Sequence, residues 1–187
     1  MEKITQVFAN MVAKENGAKR FTLLVALLLV GVVFRLIPLP SNFSPMIAIA
    51  LFAGAVFNNK SLGAVLPIII MALSDLVLGF HGLLLFVYGA MAGISVFGAW
   101  SMKKWGVKSW LAGSLGGSLA FFLVTNFGVW LTSVTYAKTF HGLITCYIAG
   151  LPFMQNTIIS TLAFSFVIFN VWHLVNAKVL KPAQSGL

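Results

Sequence analysis

Long runs of apolar residues, separated by short polar turns, dominate the chain. A run of about 20 apolar residues is long enough to cross the hydrocarbon core of a bilayer as a helix. Prolines and polar turn formers, such as those of residues 38–42, mark where the runs end. The predicted spans are residues 21–37, 44–57, 62–78, 83–102, 110–131 and 153–175. The pattern therefore predicts an all-α, polytopic membrane protein with about six transmembrane helices.

Two further segments carry a different pattern. Apolar residues recur every three or four positions in residues 4–12, which predicts a short amphipathic helix on the membrane surface. Residues 1–20 are therefore interpreted as a leader that stays attached, residues 21–178 as the membrane domain and residues 179–187 as a tail. Residues 140–151 are apolar but too short to cross and are followed by a proline, which predicts a re-entrant or surface helix.

Composition agrees with a membrane location. Hydrophobic residues make up 60% of the chain and charged residues 8%, and the mean hydropathy is +1.01. The net charge of +9 comes from basic residues at the ends of apolar runs. These residues form no basic face, so membrane lipid is the expected counterpart and nucleic acid is not. Cys146 is the only cysteine, which excludes an intrachain disulfide.

The basic residues predict the orientation, because short cytoplasmic loops of membrane proteins carry an excess of Lys and Arg. With alternating loops, one side holds Lys3, Lys14, Lys19, Arg20, Lys60, Lys103, Lys104, Lys108, Lys178 and Lys181. The other side is left with Arg35 and Lys138. Both termini are therefore expected in the cytoplasm.

Small residues recur at every fourth position in two of the spans. The fifth span has Ala112, Gly116 and Ala120, and the fourth has Gly89 and Gly93. Close packing between helices of this chain explains such spacing, and a surface for a partner subunit is the alternative.

Two charges lie inside the predicted spans. Asp75 is the only acid beyond the leader, and its position in the third span places it roughly 20 Å from the cytoplasmic side at 1.5 Å per residue. Arg35 in the first span lies at nearly the same depth. Because an isolated charge in hydrocarbon is costly, we expect a buried ion pair between them. A structural clamp and a pair that gates substrate both remain open, and proton coupling through Asp75 is a weaker alternative.

Polar side chains that could bind a ligand collect at the predicted outer ends of the helices. His81 lies in an outward turn, where its imidazole could bind substrate or serve as an axial metal ligand. Asn126 and Trp130 are one helical turn apart and share a face. The remaining candidates are Tyr147, Gln155 and Asn156. Hydrogen bonds between helices, or helix capping, are the structural alternatives. No nucleotide-binding loop, nucleophile elbow or pair of carboxylates occurs, so catalysis is not expected.

Three stretches carry a resemblance to known proteins. Residues 35–38, 72–81 and 125–130, which read RLIP, ALSDLVLGFH and TNFGVW, are similar to an uncharacterised bacterial family of integral membrane proteins to which a transport role is assigned. That family resembles the S-components of energy-coupling factor (ECF) transporters. The resemblance implies a bacterial cytoplasmic membrane and an outward pocket lined by His81, Asn126 and Trp130. It also implies a membrane-embedded coupling protein with ATPases as partner, and a cobalamin-like compound as one candidate cargo.

Two functions follow as hypotheses. The first is a substrate-binding and uptake protein of the S-component type for a vitamin-like or other small micronutrient. The second is an accessory or assembly subunit of a larger membrane complex, which would need packing surfaces but no pocket. An outward cavity of about 300 Å³ or more would favour the first.

Overall fold

The computed structural model describes residues 22, 25–57, 60–80, 82–102 and 106–180, with side chains except at residues 60–62 and 175–180. Within these ranges, every element of regular secondary structure is an α-helix. The predicted leader in residues 1–20 and residues 181–187 of the predicted tail lie outside them. The helices are α1 (Val25–Leu36), α2 (Met46–Val56), α3 (Lys60–Leu78), α4 (Leu84–Ser101), α5 (Val107–Thr132) and α6 (Phe140–Leu180).

Helix α2 lies at the centre of the bundle. Every residue of the stretch 46–54 is buried, because apolar side chains cover all sides of the helix and leave it no polar face for solvent. The helices α3, α4, α5 and α6 all pack against it, and the side chain of Ile49 lies against Gly31 of α1. Its 11 residues correspond to roughly 16 Å. The second predicted span is therefore a short helix enclosed by protein, about half as long as a bilayer core.

Glycine permits the close approach of α2 and α4. A Cβ atom on Gly54 would overlap the carbonyl oxygen of Ser95, and one on Gly98 would overlap the carbonyl oxygen of Leu51. The two backbones thus touch where side chains would separate them. By contrast, a Cβ atom on Gly89 or Gly93 would meet nothing within 4 Å.

Helix α6 is continuous from Phe140 to Leu180, so the predicted re-entrant segment at residues 140–151 is wrong. Pro152 lies inside the helix, where it removes one backbone hydrogen bond without ending the helix. Gly150 has a packing role, because a Cβ atom there would press on the side chains of Asn126 and Phe122 of α5. Close contact between α5 and α6 therefore accounts for a glycine at this position.

The distribution of polarity is the reverse of that in a water-soluble protein. Large apolar side chains such as Leu76, Leu85 and Phe166 face outward. Hydroxyl groups lie inside: Ser114 and Ser165 are fully buried and their oxygens are 2.9 Å apart. Three of the described helices, α4, α5 and residues 140–174 of α6, are long and apolar enough to cross a membrane. The other three are shorter apolar helices.

Candidate substrate-binding site

Three polar side chains from three helices meet inside the bundle. Nη2 of Arg35, on α1, lies 2.5 Å from Oδ1 of Asp75, on α3. The hydroxyl of Tyr88, on α4, donates to Oδ2 of Asp75 at 2.7 Å. The side chain of Asp75 is 1% exposed and that of Arg35 is 17% exposed. The two charges that the sequence predicts to pair are thus in direct contact, and both carboxylate oxygens are engaged.

This contact lies at the end of the bundle where α3 ends and α4 begins, here called the outer end because the charge pattern predicts that it faces away from the cytoplasm. The loop between α1 and α2 is attached to α6 there. Nδ2 of Asn156 donates to the carbonyl oxygen of Ser41 at 3.0 Å. Ser160 Oγ donates to the carbonyl oxygen of Asn42 at 3.5 Å. Asn42 has a φ of 63°, a left-handed conformation that asparagine tolerates better than most residues.

A cavity of about 270 Å³ lies on one side of this loop. We call it the Arg35 cavity, because Arg35 is the charged residue among the described residues that line it. Most of its wall is apolar, with Met46, Met71 and Phe121 among the contributors. Its other polar lining comes from Ser41, Asn42, Ser44 and Thr157.

A second cavity, of about 340 Å³, lies on the other side of the loop. We call it the Asn126 cavity. Thr125, Tyr136 and Cys146 contribute polar or polarizable groups to its wall. It shares Ser41, Asn42, Val87 and Phe121 with the Arg35 cavity. The two cavities are therefore neighbours, separated by the α1–α2 loop and by side chains of α4 and α5.

Among the residues that the sequence predicts to bind substrate, Asn126 lines a cavity. Its Nδ2 donates to the carbonyl oxygen of Phe122 at 2.9 Å, a bond within its own helix. His81 lies outside the described residues, so its roles as substrate ligand and as axial metal ligand stay predictions. Within the described ranges, no three His, Cys, Asp or Glu side chains come together in an arrangement that could hold a metal ion.

Trp130 is not among the residues that line the two cavities. Its Nε1 donates to the carbonyl oxygen of Ala137 at 2.9 Å. Nζ of Lys138 lies 5.7 Å from the centre of its ring and donates to the carbonyl oxygens of Trp130 and Ser133. A cation at the last carbonyls of a helix is favourable. Trp130 therefore belongs to a cluster that closes the carboxyl end of α5.

The remaining predicted residues also lie outside the two cavity walls. Tyr147 donates from its hydroxyl to the carbonyl oxygen of Leu123 at 2.8 Å, so it joins α6 to α5. Gln155 is exposed. Asn156 holds Ser41 of the loop. Tyr147 and Asn156 thus form hydrogen bonds between segments of the protein, as the structural alternative to ligand binding predicts.

Several cavity residues were not found from the sequence. Ser41 and Asn42 were interpreted as turn formers, and Thr157 was not singled out, although all three line the Arg35 cavity. One signal was available on α6. Cys146, Gly150 and Phe153 recur at helical spacing and line the Asn126 cavity together. Because the sequence analysis ended a helix before Pro152, it did not place Phe153 on the same helix face as the other two.

A third cavity, of about 320 Å³, lies between the opposite ends of α5 and α6. Its lining includes Trp110, Asn170 and His173. Nε1 of Trp110 donates to Ser165 Oγ at 2.8 Å, and Nδ2 of Asn170 donates within its helix at 2.7 Å. Ser109 and His173 are the other polar residues of its lining, and among the described lining residues this cavity has no counterpart of Arg35.

Long apolar helices, apolar outer surfaces and buried hydroxyl groups together define an integral membrane protein. The chain belongs to DUF6580, a family of unknown function, whose model matches residues 15–184. No curated protein and no solved structure matches the chain.

Proposed function

We propose that the protein binds a vitamin-like or other small micronutrient and takes part in its uptake across the bacterial cytoplasmic membrane, in the manner of an S-component. The observation that carries this proposal is the pair of adjacent cavities at the outer end, one lined by Arg35 and the other by Asn126. A subunit that only packs against others needs no such space. The proposed role is binding and transport rather than catalysis, and the proposal includes a topology with both termini in the cytoplasm.

The volumes of the two cavities limit the size of the compound that each can bind. At about 270 and 340 Å³, each cavity is near the lower limit for small-molecule pockets. A corrinoid is several times larger than either cavity, so a small organic compound is the better candidate. Uptake by an S-component would depend on a membrane-embedded coupling protein with ATPases, which is part of the proposal.

Native mass spectrometry of the protein, purified gently from its own membranes, tests the proposal. Val87 lines both outer cavities, so Val87→Phe should reduce their volume. Leu85 is on the same helix but is 86% exposed, which makes Leu85→Phe the matched control. We expect a co-purified small molecule in the unmodified protein and in Leu85→Phe, and its loss in Val87→Phe. The absence of any small molecule from the unmodified protein would contradict the proposal.

The second candidate is an accessory or assembly subunit of a larger membrane complex. The open space beside Gly89 and Gly93 on α4 favours it, because small residues on an outer helix surface allow another helix to approach closely. In the same measurement, stoichiometric protein partners without a bound small molecule would support this candidate over the first.

A further inference from the structure

The guanidinium of Arg35 has capacity for a second partner. An arginine side chain carries five N–H donors in a rigid plane. The hydrogen bond from Arg35 to Asp75 uses Nη2, and Arg35 also forms part of the wall of the Arg35 cavity. Asp75 is almost fully buried behind it and is not among the residues of that wall. A ligand in the cavity therefore meets the arginine rather than the acid.

Asp75 and Tyr88 position this arginine. One carboxylate oxygen accepts from Arg35 and the other from Tyr88, so the acid is fully engaged and holds the guanidinium in a fixed place. No acid occurs among the described residues that line the cavity. Arg35 is thus the positively charged residue of a mostly apolar wall, and its N–H groups that do not bond to Asp75 can form two parallel hydrogen bonds to a planar anion.

The charge of the ligand follows from the charge of the pair. Arg35 and Asp75 together are neutral, so a bound anion is offset only locally, by the guanidinium, and each further charge on the anion is left uncompensated. A buried charge is costly unless it is compensated. A carboxylate with a single charge fits this balance better than a phosphate with two. The planar carboxylate also matches the planar guanidinium.

The rest of the cavity defines the remainder of the ligand. A volume of about 270 Å³ is near the lower limit for small-molecule pockets, which suits a compound of roughly ten non-hydrogen atoms. Met46, Met71 and Phe121 offer apolar contact, and Thr157 with Asn42 offers polar groups.

We propose that the Arg35 cavity binds a small monocarboxylate with an apolar body, with its carboxylate on the guanidinium of Arg35. Asp75 and Tyr88 serve as positioning residues. This inference rests on the proposed function and names the substrate class of the same site.

The test compares acids with their uncharged counterparts of the same shape. The probes are benzoate, phenylacetate and hexanoate, each paired with its primary amide. Binding to the purified full chain in nanodiscs is measured at pH 7 by calorimetry and by the shift in melting temperature. We expect at least one acid to bind tenfold or more tightly than its amide.

Three variants test whether the preference for the acid over the amide depends on Arg35. Arg35→Gln combined with Asp75→Asn removes both charges together, so neither is left buried alone, and the preference for the acid should disappear. Arg35→Lys keeps a cation for Asp75 but loses the planar fork, and it should weaken acid binding about fivefold or more even if the double variant does not fold. Leu85→Phe, at an exposed position of α4 outside both cavities, should keep the preference.

The outcomes separate this inference from the proposed function. If acid and amide bind equally well, if a folded double variant keeps the preference, or if Arg35→Lys binds the acids as tightly as the unmodified protein does, the monocarboxylate assignment is overturned. A neutral molecule found by native mass spectrometry and lost in Val87→Phe would then leave the uptake role standing. If no small molecule binds in either experiment, both proposals fail.

Discussion

The contact between Arg35 and Asp75 shows how a costly pair of residues can be stable in a membrane. Neither charge is left without a partner, and Tyr88 satisfies the second carboxylate oxygen. The pair joins α1 to α3, and Tyr88 adds α4, so these contacts hold three helices together as well as balancing the charges. Removing one charge is therefore expected to cost more than removing both.

Asp75→Asn should lower the free energy of unfolding by roughly 3–5 kcal/mol, because it leaves the arginine charge without its acid. Thermal unfolding of the purified protein in one detergent measures the change. Arg35→Gln combined with Asp75→Asn should recover most of the loss. Tyr88→Phe, which removes one hydrogen bond from the same buried carboxylate, should cost less, about 1.5–3 kcal/mol. Normal stability and yield of Asp75→Asn would show that the pair is not a clamp.

The sequence predicted the contact between Arg35 and Asp75, but it did not predict the hydrogen-bond partners of the polar side chains. Arg35 and Asp75 are isolated charges at matching depths, and electrostatics leaves them few alternatives. An amide or an indole can instead bond to any nearby carbonyl. Asn156 and Trp130 do so, bonding to backbone oxygens of Ser41 and Ala137, and their residue type alone does not distinguish this from ligand binding.

Helix packing depends on which glycines face a neighbouring backbone. Gly54 and Gly98 lie where α2 and α4 touch, while Gly89 and Gly93 on α4 face open space. The regular spacing of Gly89 and Gly93 is visible in the sequence. The contact made by Gly54 is not, because it depends on α2 being enclosed by the other helices.

Gly54→Ala should lower the free energy of unfolding by roughly 1–3 kcal/mol, near the upper end because the added methyl group meets a backbone carbonyl that cannot rotate away. The control is Gly93→Ala, which adds the same methyl group to a neighbouring helix at a position with nothing within 4 Å. It should leave stability unchanged or slightly raised, since alanine favours helices. Thermal unfolding of the two variants side by side measures the difference, and equal losses would contradict the close approach of α2 and α4.

Helix boundaries were predicted well where a turn was polar and poorly where a breaker residue lay in apolar sequence. The observed limits of α3, α4 and α5 agree with the predicted spans to within a few residues. Pro152 was interpreted as the end of a short helix, but α6 continues through it. Contact with α5 along its length stabilises α6 by more than the lost hydrogen bond costs, and such contacts between distant segments are not visible in a local pattern.

The orientation of the bundle can be tested with single cysteines. Cys146 is 2% exposed, so the unmodified protein should react little with a membrane-impermeant maleimide. Val134, in the turn between α5 and α6, and Lys108, in the first turn of α5, are both exposed. Val134→Cys should be labelled in intact spheroplasts, and Lys108→Cys only after the membrane is permeabilised. Labelling with the opposite sidedness would reverse the proposed topology.

The enclosed position of α2 constrains the order of events during biosynthesis. Helices α4, α5 and α6, which pack around α2, leave the ribosome after it. With a length of roughly 16 Å, α2 is too short to span the bilayer alone, and its terminal backbone groups would lack partners in hydrocarbon. In a nascent chain that does not yet include α6, α2 therefore lacks one of the helices that enclose it in the folded protein. Helix α6, which is synthesised late, thus completes the enclosure of α2, which is synthesised early.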